Sequence, residues 1–355
     1  MRRLFRLLRV FGLVTILLGI LAAAPILYVE TQCFGPPPAE PAKRDAILAP
    51  EHHRALVDTL LTYPEWSIVH AYEDLAIVSR REGEGAFAYR AAIAGYWRNL
   101  CALARTASSR GSVSSEMKAM LYVIGVSVSA ELGLKGIYET TLGALFRPSA
   151  PPFPAEDQLA WQMGDAYAAF LQQTPWYAFP FGEYLGRLWA LPWQGTAPAR
   201  SIERRLALSL EWGGKALYAK AMAAAAGLSP ASLTIRSVLS GMEPTADARI
   251  IEKRPDGSVI VETPRYRAFT AFLLLQIAGG HRVIEIAGQA EILVTVLVPE
   301  GWQAPQNLPP ALIAVPLQAS PGWQRIGFLV RLETLPGLKA ALDKAGGRFE
   351  HAYDY

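Results

Sequence analysis

The chain opens with a basic stretch that leads into a long uncharged run. Four arginines fall within residues 1–9, and residues 10–29 carry no charge. A bilayer core about 30 Å thick needs roughly 20 apolar residues at about 1.5 Å each, so this run is long enough to cross it as a helix. The pattern predicts a basic cytoplasmic tail at 1–9 and a transmembrane anchor at 10–29.

A cleaved secretory signal has the same basic start and is the alternative to a retained anchor. The small residues Ala22, Ala23 and Ala24 resemble a cleavage site, but Pro25 follows them directly. Proline at that position removes a backbone donor and restricts the residue before it. The sequence therefore favours an anchor that is kept.

The charges beside the anchor predict its orientation. The arginines precede it, and no basic residue follows it until Lys43. The positive-inside rule then holds the N-terminus in the cytoplasm and places the chain from about residue 30 outside. Arginine outnumbers lysine and alanine is abundant, which is typical of GC-rich bacterial genomes. We expect a bacterial inner membrane protein with periplasmic or extracellular domains.

Helical periodicity dominates the chain after a proline-rich stalk predicted at 30–49, and it defines a helical domain at 50–243. Apolar spacing and capping signals predict helices at 50–61, 65–80, 86–107, 117–146, 154–173, 180–191 and 199–226, with a turn at 148–154. The uncharged part of the fourth helix, 119–130, is only twelve residues long before Glu131. That is short of a second span, so the pattern predicts a buried core helix. A second span is the alternative, and it would return the C-terminus to the cytoplasm.

From residue 244 to 355 the apolar residues recur at every second position, and this change of spacing defines a last domain at 244–355. The alternation predicts strands at 249–254, 258–263, 282–287, 291–298, 326–332 and 348–353, with helices at 266–279 and 336–345. This order fits a ferredoxin-like α+β sandwich domain that carries a Pro/Trp loop at 300–323. The predicted fold class is therefore α+β, and the sequence shows no convincing internal repeat.

Net charge and missing motifs exclude several classes of protein. The formal charge is +3, but four positive charges lie in the first nine residues, so the remainder carries 3 − 4 = −1. The basic character belongs to the tail, and we expect no nucleic-acid partner. The chain has no nucleophile elbow, phosphate-binding glycine loop, His-Glu-x-x-His or Cys-x-x-Cys motif. No cofactor is predicted, and an enzyme is disfavoured although not excluded.

One polar cluster has the spacing of a metal site. His70 and Glu73 are three residues apart on a predicted helix, with Asp74 beside them, and Glu131 follows the uncharged run. These four residues are the candidate metal ligands. The alternative is a hydrogen-bonded core histidine with carboxylates that cap helices or form ion pairs.

Aromatic residues mark the candidate binding surface. Residues 174–195 contain seven aromatic residues, and the loop at 300–323 adds two tryptophans. Tryptophan and tyrosine favour sites with one apolar and one wet side, which suits a partner, a lipid interface or an apolar ligand. The alternative is a set of aromatics that closes the helical core. The candidate residues are Trp176, Tyr177, Phe181, Tyr184, Trp189, Trp193, Trp302 and Trp323.

The chain has two cysteines, Cys33 and Cys101, and both fall on the predicted outer side, where disulfides persist. A bridge between them would tie the stalk to the helical domain. One buried thiol and one loose thiol are the alternative.

Together these patterns predict a single-pass, membrane-anchored envelope protein. We expect a non-catalytic accessory, assembly or sensory component that binds a partner protein or an apolar ligand. The first alternative is a periplasmic metal-dependent enzyme or hydrolase built on the His/carboxylate cluster. The second is a purely structural spacer.

Overall fold

The computed structural model describes residues 2–38, 45–147, 153–174, 176–193, 198–225 and 233–355. Residues 39–44 of the predicted stalk and most of the predicted turn at 148–154 lie outside the described residues. Within these ranges helices fill the first two thirds of the chain, and strands with two further helices fill the rest. The mixed helix-and-sheet class is therefore as predicted.

The helices before the first strand lie close to the predicted positions, except that the predicted helices at 50–61 and 65–80 are joined and the predicted helix at 117–146 is divided in two. They are α1 (Arg2–Gln32), α2 (Leu56–Glu82), α3 (Tyr89–Arg110), α4 (Ser115–Thr140), α5 (Leu142–Phe146), α6 (Ala155–Leu171), α7 (Phe181–Ala190) and α8 (Pro198–Ala225). The predicted break before residue 65 is wrong, because α2 runs through Pro64 without interruption. Proline costs a helix one hydrogen bond. Here Pro64 is buried, as are Leu61 and Trp66 on the same helix, so the packing of this segment offsets that cost.

Eight strands and two helices form the rest of the described chain. They are β1 (Thr234–Leu239), β2 (Arg249–Lys253), β3 (Val259–Pro264), α9 (Arg267–Ala278), β4 (Val283–Ile286), β5 (Glu291–Pro299), β6 (Ile313–Pro316), β7 (Trp323–Arg331), α10 (Leu335–Lys344) and β8 (Arg348–Tyr353). The hydrophobic pattern did not predict β1 or β6. The second of these lies inside the predicted loop at 300–323.

The strands form two separate sheets, so the prediction of one ferredoxin-like sandwich is wrong. The first sheet has the order β2-β3-β1-β4 and the second has the order β6-β7-β5-β8. Every pairing is antiparallel. The physical reason is that β1 and β6 give each half of the region a full set of four strands. Consequently β4 and β5, which are neighbours in sequence, belong to different sheets.

The two sheets are copies of one topology. In each, three strands are followed by a helix and a fourth strand, and the strands pair in the order second, third, first, fourth. Each last strand also has a register shift at the same place, where Ile284 in β4 and Glu350 in β8 are the extra residues of a bulge. The chain therefore contains a tandem βββαβ repeat, which the sequence did not reveal.

One face of each sheet contributes to a shared apolar core with α9 and α10. This core includes Val261 from the first sheet, Val296 from the second and Phe269 from α9. The other face of the second sheet packs against α2 and α3, where Leu60 joins a cluster with Leu293. The sequence boundary at 243–244 thus separates two regions that share a hydrophobic core.

The C-terminal end of α1 packs against the rest of the described chain, which we call the body. α1 continues to Gln32, into the stretch predicted as stalk, and both Val29 and Cys33 are buried. A disulfide joins Cys33 to Cys101 on α3. Farther along, the Glu285 carboxylate accepts the backbone N–H groups of Ile47 and Leu48. The described ends of the predicted stalk therefore pack against the body and do not form a free spacer.

Candidate functional site

The long apolar helix α4 is buried on only one side. Its buried residues include Leu121, Gly125, Val128 and Leu132, which face the neighbouring helices. Ser115–Phe146 is long and apolar enough to cross a membrane by length and composition. Only 28% of its most apolar stretch is buried. The prediction of a buried core helix therefore holds for one side of α4 and fails for the other.

The exposed side of α4 carries a regular uncharged stripe. Its members are Met120, Val123, Ser127, Ala130, Leu134 and Ile137, spaced alternately three and four residues apart. Leu134 is 70% exposed and Ile137 is 64% exposed. The stripe continues through Leu142 and Leu145 on α5. No exposed residue from 119 to 146 is charged.

A second apolar stripe runs along α8. Ile202, Leu206, Leu210 and Leu217 are all at least half exposed, and Leu210 reaches 81%. Between the last two lie Gly213 and Gly214, and a Cβ added at either would meet no atom within 4 Å. The stripe therefore has large side chains around an open gap.

The two stripes lie on the same side of an antiparallel helix pair. Ion pairs along the seam fix this register, because residue numbers rise on α4 as they fall on α8. They are Glu131–Lys215 at 2.9 Å, Lys135–Glu211 at 2.9 Å and Glu139–Arg204 at 3.0 Å. Successive residues of a helix are rotated by about 100°, which places the exposed residues of both stripes on the same side of this seam, away from the core. We call the surface formed by Met120, Val123, Leu134, Ile137, Leu142, Leu145, Ile202, Leu206, Leu210 and Leu217 the apolar face.

A buried ionic network lies beneath the apolar face. Arg204 is 1% exposed and contacts the carboxylates of Glu84, Glu139 and Asp157. Lys135 of α4 lies 3.1 Å from Glu84 and 2.9 Å from Glu211, so it extends the network along α8. Burial alone would raise the pKa of Glu84, but Arg204 and Lys135 hold it well below its ordinary value. The charges of Lys135 and Glu139 thus face inward, whereas Leu134 and Ile137 on the same helix are exposed.

The cavity beside this network is small. It is lined by Tyr72, Ser79, Glu84, Lys135 and Glu211, among others, and has a volume of about 10 Å³. That is room for about one water molecule. The cavity suits a bridging water and is too small for an organic ligand.

A second polar cluster lies between α2 and the second sheet. The Arg325 guanidinium donates to both oxygens of Glu350, at 2.6 and 2.7 Å. His70 lies 3.9 Å from Glu350 and 3.3 Å from Glu73. Its other ring nitrogen lies 3.5 Å from the Tyr353 hydroxyl. This cluster joins α2 to β7 and β8 through the buried side chains of His70, Arg325 and Tyr353, with Glu73 at its partly exposed edge.

The surroundings lower the pKa values of two groups in this cluster. Burial alone would raise the pKa of Glu350, but Arg325 and His70 lower it to about 2. Burial, with the neighbouring His70, lowers the pKa of His351 to about 3. The His351 ring stacks on Trp66 with 3.7 Å between ring centroids. Glu350 is therefore ionised and His351 neutral near pH 7.

The structure does not bring the four candidate metal ligands together. His70 and Glu73 are in contact, whereas Asp74 accepts the backbone N–H groups of Gln318 and Ala319. Glu131, on α4, pairs instead with Lys215 of α8. Within the described ranges, no group of three or more His, Cys, Asp or Glu side chains is placed to hold a metal ion.

The predicted aromatic surface divides into buried and exposed parts. Phe181 is buried in the helical core, and Trp176, Tyr177 and Tyr184 are half-buried against it. Trp302 packs against Phe328 of the strand-rich core, and Trp323 is half-buried at the start of β7. Trp189 and Trp193, by contrast, are 50% and 61% exposed. The Trp189 indole donates to Ser209 on α8, so this side chain borders the apolar face.

The apolar face was not predicted as a binding surface. Its signal was present on α4, where alternate spacings of three and four residues carry no charge. The sequence did not show which side of a nearly continuous apolar run would be left uncovered.

The chain matches no known protein-family model, no curated protein and no solved structure.

Proposed function

We propose that this chain is a membrane-anchored, non-catalytic envelope component that binds a protein partner through the apolar face. The observation that carries the proposal is the exposure of ten apolar side chains on one side of α4, α5 and α8. Burying one such side chain is worth roughly 1.5–3 kcal/mol, and contiguous patches of this kind mark interaction sites. An apolar face of this size would not be expected to stay in contact with water if it had no binding partner.

The anchor is residues 10–29 of α1, with the N-terminus in the cytoplasm and the body outside. The arginines before the span support this orientation. The Cys33–Cys101 disulfide supports it too, because such bonds persist outside the reducing cytoplasm. A bacterial inner membrane with the body in the periplasm fits both features.

The packing of α4 supports its place in the body and not in the bilayer. Glu131, Lys135 and Glu139 each form an ion pair with a residue of α8. Moving α4 into lipid would separate these charges from their partners in a medium of low dielectric constant, which is costly. The C-terminus therefore stays on the same side of the membrane as the body.

The junction between anchor and body would fix the direction in which the apolar face points. Val29 and Cys33 are buried in the body, and Glu30 pairs with Lys118 at 2.8 Å. A helix held in this way transmits its orientation to the domain, unlike a flexible linker. We therefore expect the face to be presented at a constant angle to the membrane.

Photo-crosslinking in native membranes tests the proposal. A photoreactive residue at Leu210 should capture a protein, and one at the exposed strand residue Glu252 should not. Equal capture at both positions, or none at Leu210, would contradict partner binding through this face. Labelling a cysteine placed at Asp256 from outside the cell tests the orientation independently.

A further inference from the structure

We infer that the partner at the apolar face is a second copy of this chain, and that two copies form a four-helix bundle from α4 and α8 of each. This inference rests on the proposed function, since it identifies the partner at the proposed surface. It goes further in specifying a two-fold symmetric homodimer.

Helix geometry favours a helical partner. The α4 stripe repeats at alternate spacings of three and four residues, which is the pattern of a helix that packs side chains into the gaps of another helix. α4 and α8 run antiparallel, are bridged by ion pairs and carry both stripes on one side, so they can supply two of the helices of a four-helix bundle. A second identical pair supplies the missing half.

Large and small residues alternate across the face. The register of the ion pairs places Ala130 level with about residue 216, and Leu134 level with about residue 212, between Leu210 and the gap at Gly213 and Gly214. Facing surfaces interdigitate when large side chains oppose small ones. In a two-fold interface, a residue that contacts a second position is contacted by that position in return. Leu134 of each copy can therefore enter the gap at Gly214 of the other.

Charge and area also fit self-association. The exposed residues from 119 to 146 carry no charge, so two copies of this face meet without like-charge repulsion. At roughly 70 Å² for each exposed apolar side chain, ten of them offer on the order of 700 Å² per copy, close to the roughly 800 Å² per partner of stable interfaces. Anchors in one membrane also raise the effective concentration of the two copies.

The position of the anchor disfavours lipid as the occupant. Lys118 holds Glu30 of α1 and lies 4.2 Å from the Phe34 ring. Met120 is two residues further on, about 200° around α4, so the apolar face begins on nearly the opposite side of that helix. The face also lacks the row of lysine and arginine residues typical of helices that lie in a bilayer interface.

The test uses the full-length chain in its membrane, with two differently tagged copies expressed together. A photoreactive residue at Leu134 should join the two tagged copies to each other. Gly214→Leu fills the proposed gap and should lower this dimer yield by at least about tenfold. Leucine is a better helix former than glycine, so the variant should keep or raise the melting temperature of the body. Gly186→Leu on α7, an exposed helical glycine with no neighbour within 4 Å, is the matched control and should leave the yield unchanged.

The outcomes separate this inference from the proposed function. Crosslinks to a different protein with none between copies would overturn the homodimer and leave partner binding intact. Crosslinks to lipid alone at both Leu134 and Leu210 would overturn both. An unchanged dimer yield in Gly214→Leu would also overturn the packing described here.

Discussion

Arg325 and Glu350 form a buried two-point ion pair across β5 of the second sheet. Arg325 lies on β7 and Glu350 on β8, while β5 runs between them. The two contacts are 2.6 and 2.7 Å long. Glu350 occupies the bulge of β8, and that extra residue places its carboxylate beneath α2, within reach of Arg325 and His70.

Removing the cation of this pair should destabilise the fold strongly. Arg325→Met leaves Glu350 buried without its counter-charge, and we expect a loss of about 3–5 kcal/mol in the free energy of unfolding. Adding Glu350→Gln to that variant should restore part of the loss. Denaturant midpoints of the full-length chain in one detergent measure both. A double variant no more stable than Arg325→Met would show that the ion pair is not the source of the effect.

The network beneath the apolar face should respond in the same way. Lys135 is nearly buried and pairs with both Glu84 and Glu211. We expect Lys135→Met to cost about 3–5 kcal/mol, because two carboxylates lose their shared cation. Lys339→Met on α10 breaks an exposed pair with Asp343 and should cost at most about 1 kcal/mol. Similar losses in the two variants would contradict the structural role of the buried network.

His351 should make the folded protein sensitive to mild acid. Burial lowers its pKa to about 3 from an ordinary value of 6.5. Below pH 6.5 the unfolded chain therefore binds a proton at this residue and the folded chain does not. The stability contributed by neutral His351 is complete above pH 6.5 and falls by about 1.4 kcal/mol per pH unit below it, down to the folded pKa.

The variant His351→Asn isolates this contribution. Between pH 6.5 and 4.5 the natural chain should lose about 2–3 kcal/mol more stability than the variant. Glu350 does not interfere, because its ordinary pKa is 4.5 and its own contribution is lost only between that pH and about 2. Unfolding curves at pH 7.5, 6.5, 5.5 and 4.5 give the comparison. Parallel losses in the two proteins would show that His351 is protonated in the folded state.

The disulfide should hold the end of the anchor on the body. The bond closes a separation of 68 residues, and its removal in Cys33→Ser should cost about 2–5 kcal/mol. Limited proteolysis of the membrane-bound chain should then cut more quickly between residues 34 and 38. Cys101→Ser should behave alike, since either change breaks the same bond. If cleavage is unchanged in both, Val29 and the Glu30–Lys118 pair suffice to hold the junction.

Local patterns predicted most helices well, and they failed where a pairing partner is distant. Helical periodicity placed α3, α6 and α8 to within a few residues, because each has an apolar stripe of its own. It missed β6, a four-residue strand in a proline-rich stretch that is defined by pairing with β7. No local signal indicates that β4 and β5 belong to different sheets.

The candidate site shows the same division. The sequence identified His70 and Glu73 as partners because they are three residues apart on one helix. It could not find Arg325 and Glu350, which lie about 250 to 280 residues away and arrive through the folding of the second sheet. It grouped Glu131 with His70 as a candidate metal ligand, whereas in the structure Glu131 forms an ion pair with Lys215 of the antiparallel helix α8.

The sequence by itself determined the basic tail, the uncharged run after it, most of the helices and the pairing candidates Cys33 and Cys101. These follow from charge, length and periodicity, which act over a few turns of chain. The tertiary structure alone decided that the strands form a tandem pair of sheets, that α1 joins the body directly, and that one side of α4 stays uncovered. These depend on which distant segments meet, because the burial of a face is a property of its neighbours and not of its own residues.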